Sequence, residues 1–461
     1  MENKKYIANI PETSKTRIVI VGGGFAGLKF LKKIKGKDVQ LILLDKNNFH
    51  QFQPLLYQVA TAGLEPSAIS FPLRKILQNE KNIHFRIAEL LEVMPSEKEI
   101  RTNIGYLNYD HLILAMGADT NFYGQKEIEN NALAMKSAAD AIHIRNTIVE
   151  NFEAALLQES NETAAPYMNI VLVGGGPTGV ELAGAIAEMK KYIFPKDYPE
   201  LDISQMRIVL YESSDRLLSG MSKGSSDTSV KYLENMGVEV RLNTRVNSYD
   251  GTTLELSDGA SFESKTVIWA AGIKSISLKG LPAEVFGHTN RLKVDRFSRL
   301  LYMKDIYVIG DNALMETPKY PEGHPQIAQA AIQQASNLGI NLKKWIGGKK
   351  FSPREFEYRN KGSMATIGRH LAVADLPGVK LKGYIAWMLW SFVHLFTIFG
   401  LKNKIQTFIS WTWHYFTYDQ SLRLLIRHKP LQSNKNLRSG NIDETEARIG
   451  SKESAYEEIS A

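Results

Sequence analysis

The sequence contains no cysteine, and this absence excludes several classes of function. Disulfide frameworks, iron–sulfur clusters and thiolate metal sites all need cysteine sulfur, and so do mechanisms that use a cysteine nucleophile or a redox dithiol. We therefore predict no bound metal and no chemistry at sulfur.

A secretory signal and a long hydrophobic run are also missing. Residues 1–16 are polar, which predicts a start in the cytoplasm. The most apolar stretch, residues 384–401, would be about 27 Å long as a helix, slightly short of the roughly 30 Å hydrocarbon core of a bilayer. With 461 residues, 44% of them hydrophobic and 23% charged, the chain is long enough for several globular cores.

Short β-branched runs alternate with helical stretches from residue 17 onward, which is typical of parallel sheets covered by helices on both faces. The segments that begin at Thr16 and Asn169 read alike, because each has an apolar strand, three glycines, small residues and then a helix. We therefore predict an α/β fold with two Rossmann-like dinucleotide-binding domains, the second inserted in the first.

The first glycine motif is a GxGxxG with its glycines at Gly22, Gly24 and Gly27. Glycines are needed there because backbone amides at a helix N-terminus must approach a pyrophosphate closely. Asp45 ends the next strand, where a carboxylate can accept hydrogen bonds from a ribose hydroxyl. This spacing favours a dinucleotide site over a plain strand-to-helix turn.

The second glycine motif places Gly174, Gly176 and Gly179 after another strand, and Glu212 closes the strand that follows. An insertion over residues 192–205 explains the longer distance to this acid. Because a carboxylate accepts from a 2′-hydroxyl and repels a 2′-phosphate, Glu212 predicts a preference for NADH over NADPH.

These features resemble the two-dinucleotide-binding flavoproteins, in which the first fold holds FAD and the second holds NAD(P)H. Further matches are Gly117 and Gly272, each shortly after a strand, and the pair Gly310 and Asp311. The resemblance covers about residues 17–375 and implies that Gly310 and Asp311 contact the ribityl and pyrophosphate region of FAD. We expect non-covalent FAD, since no flavinylation context is recognisable.

Within that superfamily the chain looks closely like the type II NADH dehydrogenases, which are single-subunit, non-pumping NADH:quinone oxidoreductases. The members that work through cysteine are excluded, and residues 50–58, residues 328–333 and the aromatic C-terminal region carry the closer match. The resemblance implies that Gln329 and Gln333, four residues apart on one helix face, bind the quinone. It also implies that Glu181 lies near the nicotinamide and the quinone, although a surface glutamate remains the alternative.

The C-terminal region predicts membrane association. Residues 384–401 carry polar side chains on one face, and residues 401–417 are amphipathic, with tryptophans and lysines that suit a bilayer interface. We expect two helices that lie on the cytoplasmic face of the membrane; a single span, a dimer interface and a core helix are alternatives. The net charge of +7 and the pI near 9.1 are assigned partly to this region, so no nucleic-acid partner is expected.

The predicted organisation has six parts: a polar tail over residues 1–16, the FAD domain over 17–124 and 290–378, the NADH domain over 125–289, the membrane-association helices over 379–430, and a disordered tail over 431–461. The predicted function is hydride transfer from NADH to FAD and then transfer of two electrons to a menaquinone or ubiquinone. The alternatives are a ferredoxin- or rubredoxin-type reductase and a membrane-tethered flavin and NADH sensor. A homodimer is left open.

Overall fold

The apolar run that begins at Thr16 forms the central strand of a parallel sheet, because its side chains are buried on both faces. Ile20 pairs with Leu43 on one side and with Ile113 on the other. With elements numbered along the chain, the strand order is β21 (Ile306–Val308), β9 (His111–Leu114), β1 (Thr16–Val21), β2 (Val39–Asp45) and β5 (Ile83–Ile87). The helices α1 (Phe25–Ile34) and α11 (Ala328–Ile346) pack against each other beside this sheet.

A second parallel sheet repeats this design, with its glycine-motif strand again in the centre. The order is β11 (Leu133–Ala134), β18 (Thr266–Trp269), β12 (Ile170–Val173), β13 (Ile208–Tyr211) and β14 (Val238–Arg241). Its main helices are α6 (Ala138–Ala155), α8 (Pro177–Tyr192) and α10 (Lys223–Asn235). All of these strands lie in sequence between β9 and β21 of the first sheet. The prediction of two Rossmann-like folds, the second inserted in the first, is confirmed.

Shorter strands and helices lie between these main elements along the chain. The short strands are β3 (Phe49–Gln51), β4 (Ser70–Pro72), β6 (Leu90–Met94), β7 (Glu99–Thr102), β8 (Gly105–Asn108), β10 (Ala118–Thr120), β15 (Val246–Tyr249), β16 (Thr253–Leu256), β17 (Ser261–Glu263), β19 (Ile273–Ser275), β20 (Leu292–Lys293) and β22 (Ala313–Leu314). The short helices are α2 (Leu56–Ala60), α3 (Pro66–Ile69), α4 (Leu73–Ile76), α5 (Lys126–Asn131), α7 (Asn161–Met168) and α9 (Phe194–Asp197).

The C-terminal region begins with an antiparallel sheet and ends with two helices. The strands are β23 (Ser363–Gly368), β24 (Leu371–Leu376) and β25 (Val379–Lys382), and the helices are α12 (Gly383–Thr397) and α13 (Leu401–Thr417). Gly400 separates the helices with a φ of +84°, and a side chain there would overlap the ring of Phe71. The predicted 18-residue apolar run is therefore broken before its end.

Both helices bury one face against the rest of the chain. Ala386 and Trp390 of α12 are buried. Asn403 of α13 is buried and donates to the carbonyl oxygens of Ser67, Ala68 and Ser70. The opposite faces are apolar and exposed. Throughout residues 4–36, 39–348, 350–418 and 422–425, which are those that this computed structural model describes, no helix has the length and apolarity needed to cross a bilayer.

The N-terminal residues are packed rather than free. Ile7 is buried and its N–H donates to the carbonyl oxygen of Tyr106 at 3.0 Å. The Tyr6 hydroxyl donates to Glu99 Oε1 at 2.6 Å. Two apolar side chains in an otherwise polar segment therefore hold it along the edge of the β6–β8 sheet. The predicted disordered tail, residues 431–461, lies outside the described residues.

Candidate active site

The first glycine motif forms a turn between β1 and α1 that leaves one open side. Gly22 has a φ of +110°, and a Cβ at Gly27 would overlap the carbonyl oxygen of Gly22. A Cβ at Gly24, in contrast, would meet no atom within 4 Å. Gly24 is also the N-cap of α1 without a side-chain cap. The first turn of α1 therefore offers backbone N–H groups toward open space.

Asp45 is held beside this turn by the backbone. Its Oδ2 accepts from the N–H of Gly23 at 2.6 Å, and its Oδ1 accepts from the N–H of Asn47 at 2.7 Å. Burial raises the pKa of Asp45, and these two hydrogen bonds oppose that shift. The carboxylate is thus fixed at the carboxyl end of β2, as the sequence predicted.

The second glycine motif repeats the arrangement at α8. Gly174 has a φ of +111°, a Cβ at Gly176 would meet nothing within 4 Å, and a Cβ at Gly179 would lie 1.9 Å from the carbonyl oxygen of Gly174. Glu212 accepts from the N–H of Gly175 at 2.5 Å and from the N–H of Ser214 at 2.7 Å. Both motifs therefore combine an open glycine, an uncapped helix N-terminus and an acid at the end of the next strand or directly after it.

Loops from distant parts of the chain complete the first site. The N–H of Gly117 donates to Asn312 Oδ1 and that of Gly310 donates to Gln334 Oε1, each at 2.8 Å. Burial raises the pKa of the Asp311 carboxyl. Both Gly117 and Gly310 have positive φ values, of 76° and 75°. The loops after β9 and β21 are therefore tied to each other and to α11.

Gly272 follows β18 at the corresponding place in the second fold. Its φ is +156°, and a side chain there would overlap the hydroxyl of Tyr123. That hydroxyl donates to the carbonyl oxygen of Ala271 at 2.9 Å. The glycine is needed to let this ring approach the loop.

The two glutamines predicted for quinone binding lie on one face of α11, but their amides bond to the protein itself. Gln329 Nε2 donates to the carbonyl oxygen of Gly362 at 3.0 Å. Gln333 Nε2 donates to the carbonyl oxygen of Arg359 at 3.0 Å, and Gln333 Oε1 accepts from the N–H of Arg359 at 3.1 Å. Both side chains therefore fasten the segment that leads into β23.

Glu181 lies in a cleft between α8, β23 and the two C-terminal helices. The residues that line this cleft include Tyr57, Gln58, Glu188, Arg369, Trp390 and His414. Burial raises the pKa of Glu181 to about 8, although the N–H groups of Thr366 and Trp390 beside the carboxyl favour its ionised form. The alternative of a surface glutamate is thus wrong.

Comparisons with known proteins agree with this arrangement. Residues 16–335 match the family described as pyridine nucleotide-disulphide oxidoreductase, and residues 360–417 match the NDH2 C-terminal domain. The type II NADH:quinone oxidoreductase Ndh of Mycobacterium tuberculosis is 34% identical over 413 residues, which cover 86% of this chain and 87% of that protein. NdhA of the same organism is also 34% identical, with 86% of each chain covered.

This chain belongs to the type II NADH:quinone oxidoreductases. A solved structure of NDH2 from Plasmodium falciparum, in complex with NADH, has the same fold with a TM-score of 0.83 and 24% identity, and covers 90% of this chain and 100% of that one. The family predicted from the sequence is thereby confirmed, and so is its class of FAD-dependent, NADH-using flavoenzyme.

The residues around the first glycine motif fit FAD in this type II NADH:quinone oxidoreductase. The open side at Gly24 accommodates a pyrophosphate, because no protein atom occupies the space that a Cβ would fill. Asp45 holds a carboxylate at the edge of the same turn, which is the kind of acceptor that a ribose hydroxyl of FAD would need. No group of three or more metal-ligating side chains occurs in the described part of the chain.

Sequence reasoning missed several residues that shape this site. Asn312 and Gln334 position the two loops that flank the first glycine motif. Arg369 follows β23 and donates to the carbonyl oxygens of His414 and Tyr415 at the end of α13. Only Gln334 had a signal in the sequence, since it neighbours a glutamine that was singled out.

Proposed function

We propose that this chain oxidises NADH and reduces a membrane quinone without pumping protons. The proposal depends on one observation: a single cysteine-free chain contains both two open glycine motifs and an NDH2 C-terminal domain. The two helices of that domain expose apolar faces. A cleft containing a buried carboxyl lies directly beneath those helices. An enzyme that takes its acceptor from a bilayer needs such a passage.

The two dinucleotides are assigned to the two folds. Non-covalent FAD is assigned to the first, with the contact residues Gly22, Gly24, Gly27, Asp45, Gly117, Gly310 and Asp311; NADH is assigned to the second, with Gly174, Gly176, Gly179, Glu212 and Gly272. When bound, FAD accepts the hydride of NADH and supplies two electrons to the quinone. The chain itself supplies backbone N–H groups for the phosphates and acids for the ribose hydroxyls.

For the quinone, we assign the cleft beside Glu181 as the passage, and we assign the α11 glutamines to the acceptor site as hydrogen-bonding groups. Gln329 retains one amide N–H beyond its bond to Gly362, which can donate to a quinone oxygen. A hydrogen bond from this neutral amide N–H becomes stronger as the quinone oxygen gains electron density, and no unpaired charge is buried. Gln333 contributes mainly by holding residue 359.

Stopped-flow measurements on Gln329→Ala and Gln333→Ala test this assignment. Bleaching of the flavin by NADH and its reoxidation by a quinone analogue are followed separately. We expect normal bleaching with slower reoxidation, most strongly in Gln329→Ala. Equal loss in both half-reactions would show that the glutamines hold the flavin site, and no loss in either would leave them a purely structural role.

Membrane attachment is assigned to the exposed faces of α12 and α13. These faces present large apolar side chains: Tyr384, Ile385, Met388, Phe392, Phe396, Leu401, Ile405, Phe408, Ile409, Trp413 and Phe416. Lys402 and Lys404 lie in the first turn of α13 and favour an anionic leaflet, which we take to be the cytoplasmic one. The alternative role of these faces is self-association, which would give a homodimer.

Sedimentation with anionic vesicles tests the attachment. Phe392 and Phe408 are 60% and 56% exposed, and burying such a side chain in lipid is worth about 1.5–3 kcal/mol. We expect the double variant Phe392→Ser, Phe408→Ser to remain in the supernatant. Leu157→Ser is the matched control, because Leu157 is 82% exposed and lies outside the C-terminal helices. Equal loss in both variants would contradict the assignment.

The reaction itself is tested by supplying NADH with a quinone analogue, a ferredoxin or oxygen alone. We expect quinone reduction to be fastest. Faster reduction of ferredoxin would support the ferredoxin-reductase alternative, and an enzyme that does not turn over with any acceptor would support the sensor.

A further inference from the structure

A second, half-buried carboxyl lies on α8 and faces the same cleft as Glu181. Glu188 is seven residues farther along the helix, so the two side chains project from one face about 10.5 Å apart along the axis. Gly184, between them, packs so closely on β23 that a side chain would overlap the carbonyl oxygen of Ile367. The helix and the strand therefore form a fixed wall along which both carboxyls are aligned.

Glu188 is more exposed than Glu181 and therefore marks the outer part of this wall. Its Oε1 accepts from the N–H of Arg369 at 2.6 Å. Burial raises the pKa of Glu188, and Arg369 opposes that shift through its N–H and its charge. The other ionisable groups that line the cleft are Tyr57 of α2, Tyr192 of α8, and His414, Tyr415 and Tyr418 at the end of α13.

Tyr57 lines the same cleft as the two carboxyls. The Trp411 indole, which can only donate, binds Gln58 Oε1 at 2.7 Å, so the amide nitrogen of Gln58 must face the other way. That nitrogen donates to the hydroxyl oxygen of Tyr57 at 2.7 Å. The Tyr57 proton is thereby directed away from Gln58. Burial raises the pKa of the Tyr57 hydroxyl, the charges of Glu181 and Glu188 raise it further, and the hydrogen bond from Gln58 opposes the shift.

The reaction requires a proton from water. NADH, one proton and a quinone give NAD⁺ and a quinol: the hydride carries two electrons and one proton, and each quinone oxygen ends with one hydrogen. One further proton must therefore enter for every quinone reduced. The acceptor site assigned above is covered by α12 and α13, so this proton needs a path through polar groups.

We propose that Glu188 takes up this proton at the outer part of the cleft and passes it through the Tyr57 hydroxyl to Glu181, which donates it toward the quinone. In each transfer one O–H bond breaks as another forms, and Glu188 is reprotonated from water. The inference rests on the proposed function. Glu188 is a relay residue, because it acts through Glu181 and does not touch the quinone.

The test compares holoenzymes of the wild type, Glu188→Gln and Glu188→Asp, with Glu234→Gln as the control. Glu234 is exposed on α10 and does not line the cleft, so its substitution removes one carboxylate outside it. Stopped-flow follows flavin bleaching by NADH, and separately its reoxidation by a water-soluble ubiquinone analogue, between about pH 5.5 and pH 9.

In the wild type and the control, reoxidation should slow as pH rises through about 8, where Glu181 loses its proton. Since a positioned proton donor contributes about 10²–10⁴-fold, Glu188→Gln should slow reoxidation at least about tenfold and flatten its pH dependence. Bleaching should be unchanged, and Glu188→Asp should recover part of the rate. Infrared difference spectra should also lose one protonated-carboxyl band in Glu188→Gln.

Three results would overturn the relay. One is a Glu188→Gln enzyme with the wild-type rate and pH profile. Another is equal loss of both half-reactions in the Gln and Asp variants, which would assign Glu188 to packing against Arg369. If no quinone reoxidises the wild type, the proposed function fails, and the relay fails with it.

Discussion

The open glycines of the two motifs, Gly24 and Gly176, allow cofactor binding to be tested separately from folding. In the second motif, Gly176 and Gly179 are three residues apart on the same helix turn, yet their surroundings differ completely. Gly176 has a φ of −71° and ψ of 179°, which alanine adopts without strain, and its Cβ would meet no protein atom within 4 Å. We therefore expect Gly176→Ala to fold normally and to lose affinity for NADH.

The expected loss of NADH affinity follows from what the added methyl group displaces. If the pyrophosphate of NADH lies against Gly176, the methyl pushes it away from the N–H groups of α8, and each charge-assisted hydrogen bond is worth about 1.5–3 kcal/mol. Loss of one such bond predicts a rise in Kd of about 10- to 100-fold. The melting temperature should stay within about 2 °C of the wild type, since the folded chain gains no clash.

Gly179→Ala is the matched control. Its Cβ would lie 1.9 Å from the carbonyl oxygen of Gly174, so the turn must open by about 1 Å, and we expect a destabilisation of at least about 1–3 kcal/mol. Titration of each holoenzyme with NAD⁺ by calorimetry, alongside thermal melting, separates the two effects. Wild-type affinity in Gly176→Ala would refute the reasoning, because it would place the pyrophosphate elsewhere.

Three further predictions use the same structure. We expect the wild type to prefer NADH over NADPH at least about tenfold in kcat/KM, or about 1.4 kcal/mol, and Glu212→Gln should reduce this preference. An unchanged ratio would show that another residue determines the preference. Because the pKa of Glu181 is raised to about 8, its carboxyl stays neutral in the fold while ionising in the unfolded chain, so the stability of the wild type should fall as pH rises from about 4.5 to 8. In Glu181→Gln, the melting temperature should fall less over this pH range. Parallel plots of melting temperature against pH for the two proteins would contradict the raised pKa of Glu181. Gly184→Ala should yield little soluble protein, measured against Gly220→Ala, where a Cβ meets nothing within 4 Å.

The features that sequence analysis predicted are those encoded locally. A strand, a glycine turn and a helix follow one another directly, so the motifs around Gly24 and Gly176 and the acids Asp45 and Glu212 could be placed from spacing alone. The common helix face of Gln329 and Gln333 followed from the helical repeat in the same way.

What the sequence did not reveal depends on contacts between distant segments. The hydrogen bonds between the Gln333 amide and residue 359 join positions that are 26 residues apart, and the hydrogen bond from Trp411 to Gln58 joins positions that are 353 residues apart. The N-terminal segment was predicted to be a tail because its residues are mostly polar, whereas Tyr6 and Ile7 in fact contact the edge of the β6–β8 sheet. Glu188 had a weak local signal, since it shares a helix face with Glu181, but nothing in the sequence showed that this face was buried.

The bonds that hold α13 in place bear on how a soluble form of this enzyme can be made. If α13 were cut away, the carbonyl oxygens of Ser67, Ala68 and Ser70 would lose Asn403, and Gln58 would lose the Trp411 indole that orients it. Removing α12 would in addition uncover the side chains that pack against Ala386 and Trp390. The helices are thus structural parts of the enzyme, and a detergent-free preparation should be engineered by exchanging their outward side chains for polar ones while the full chain is retained.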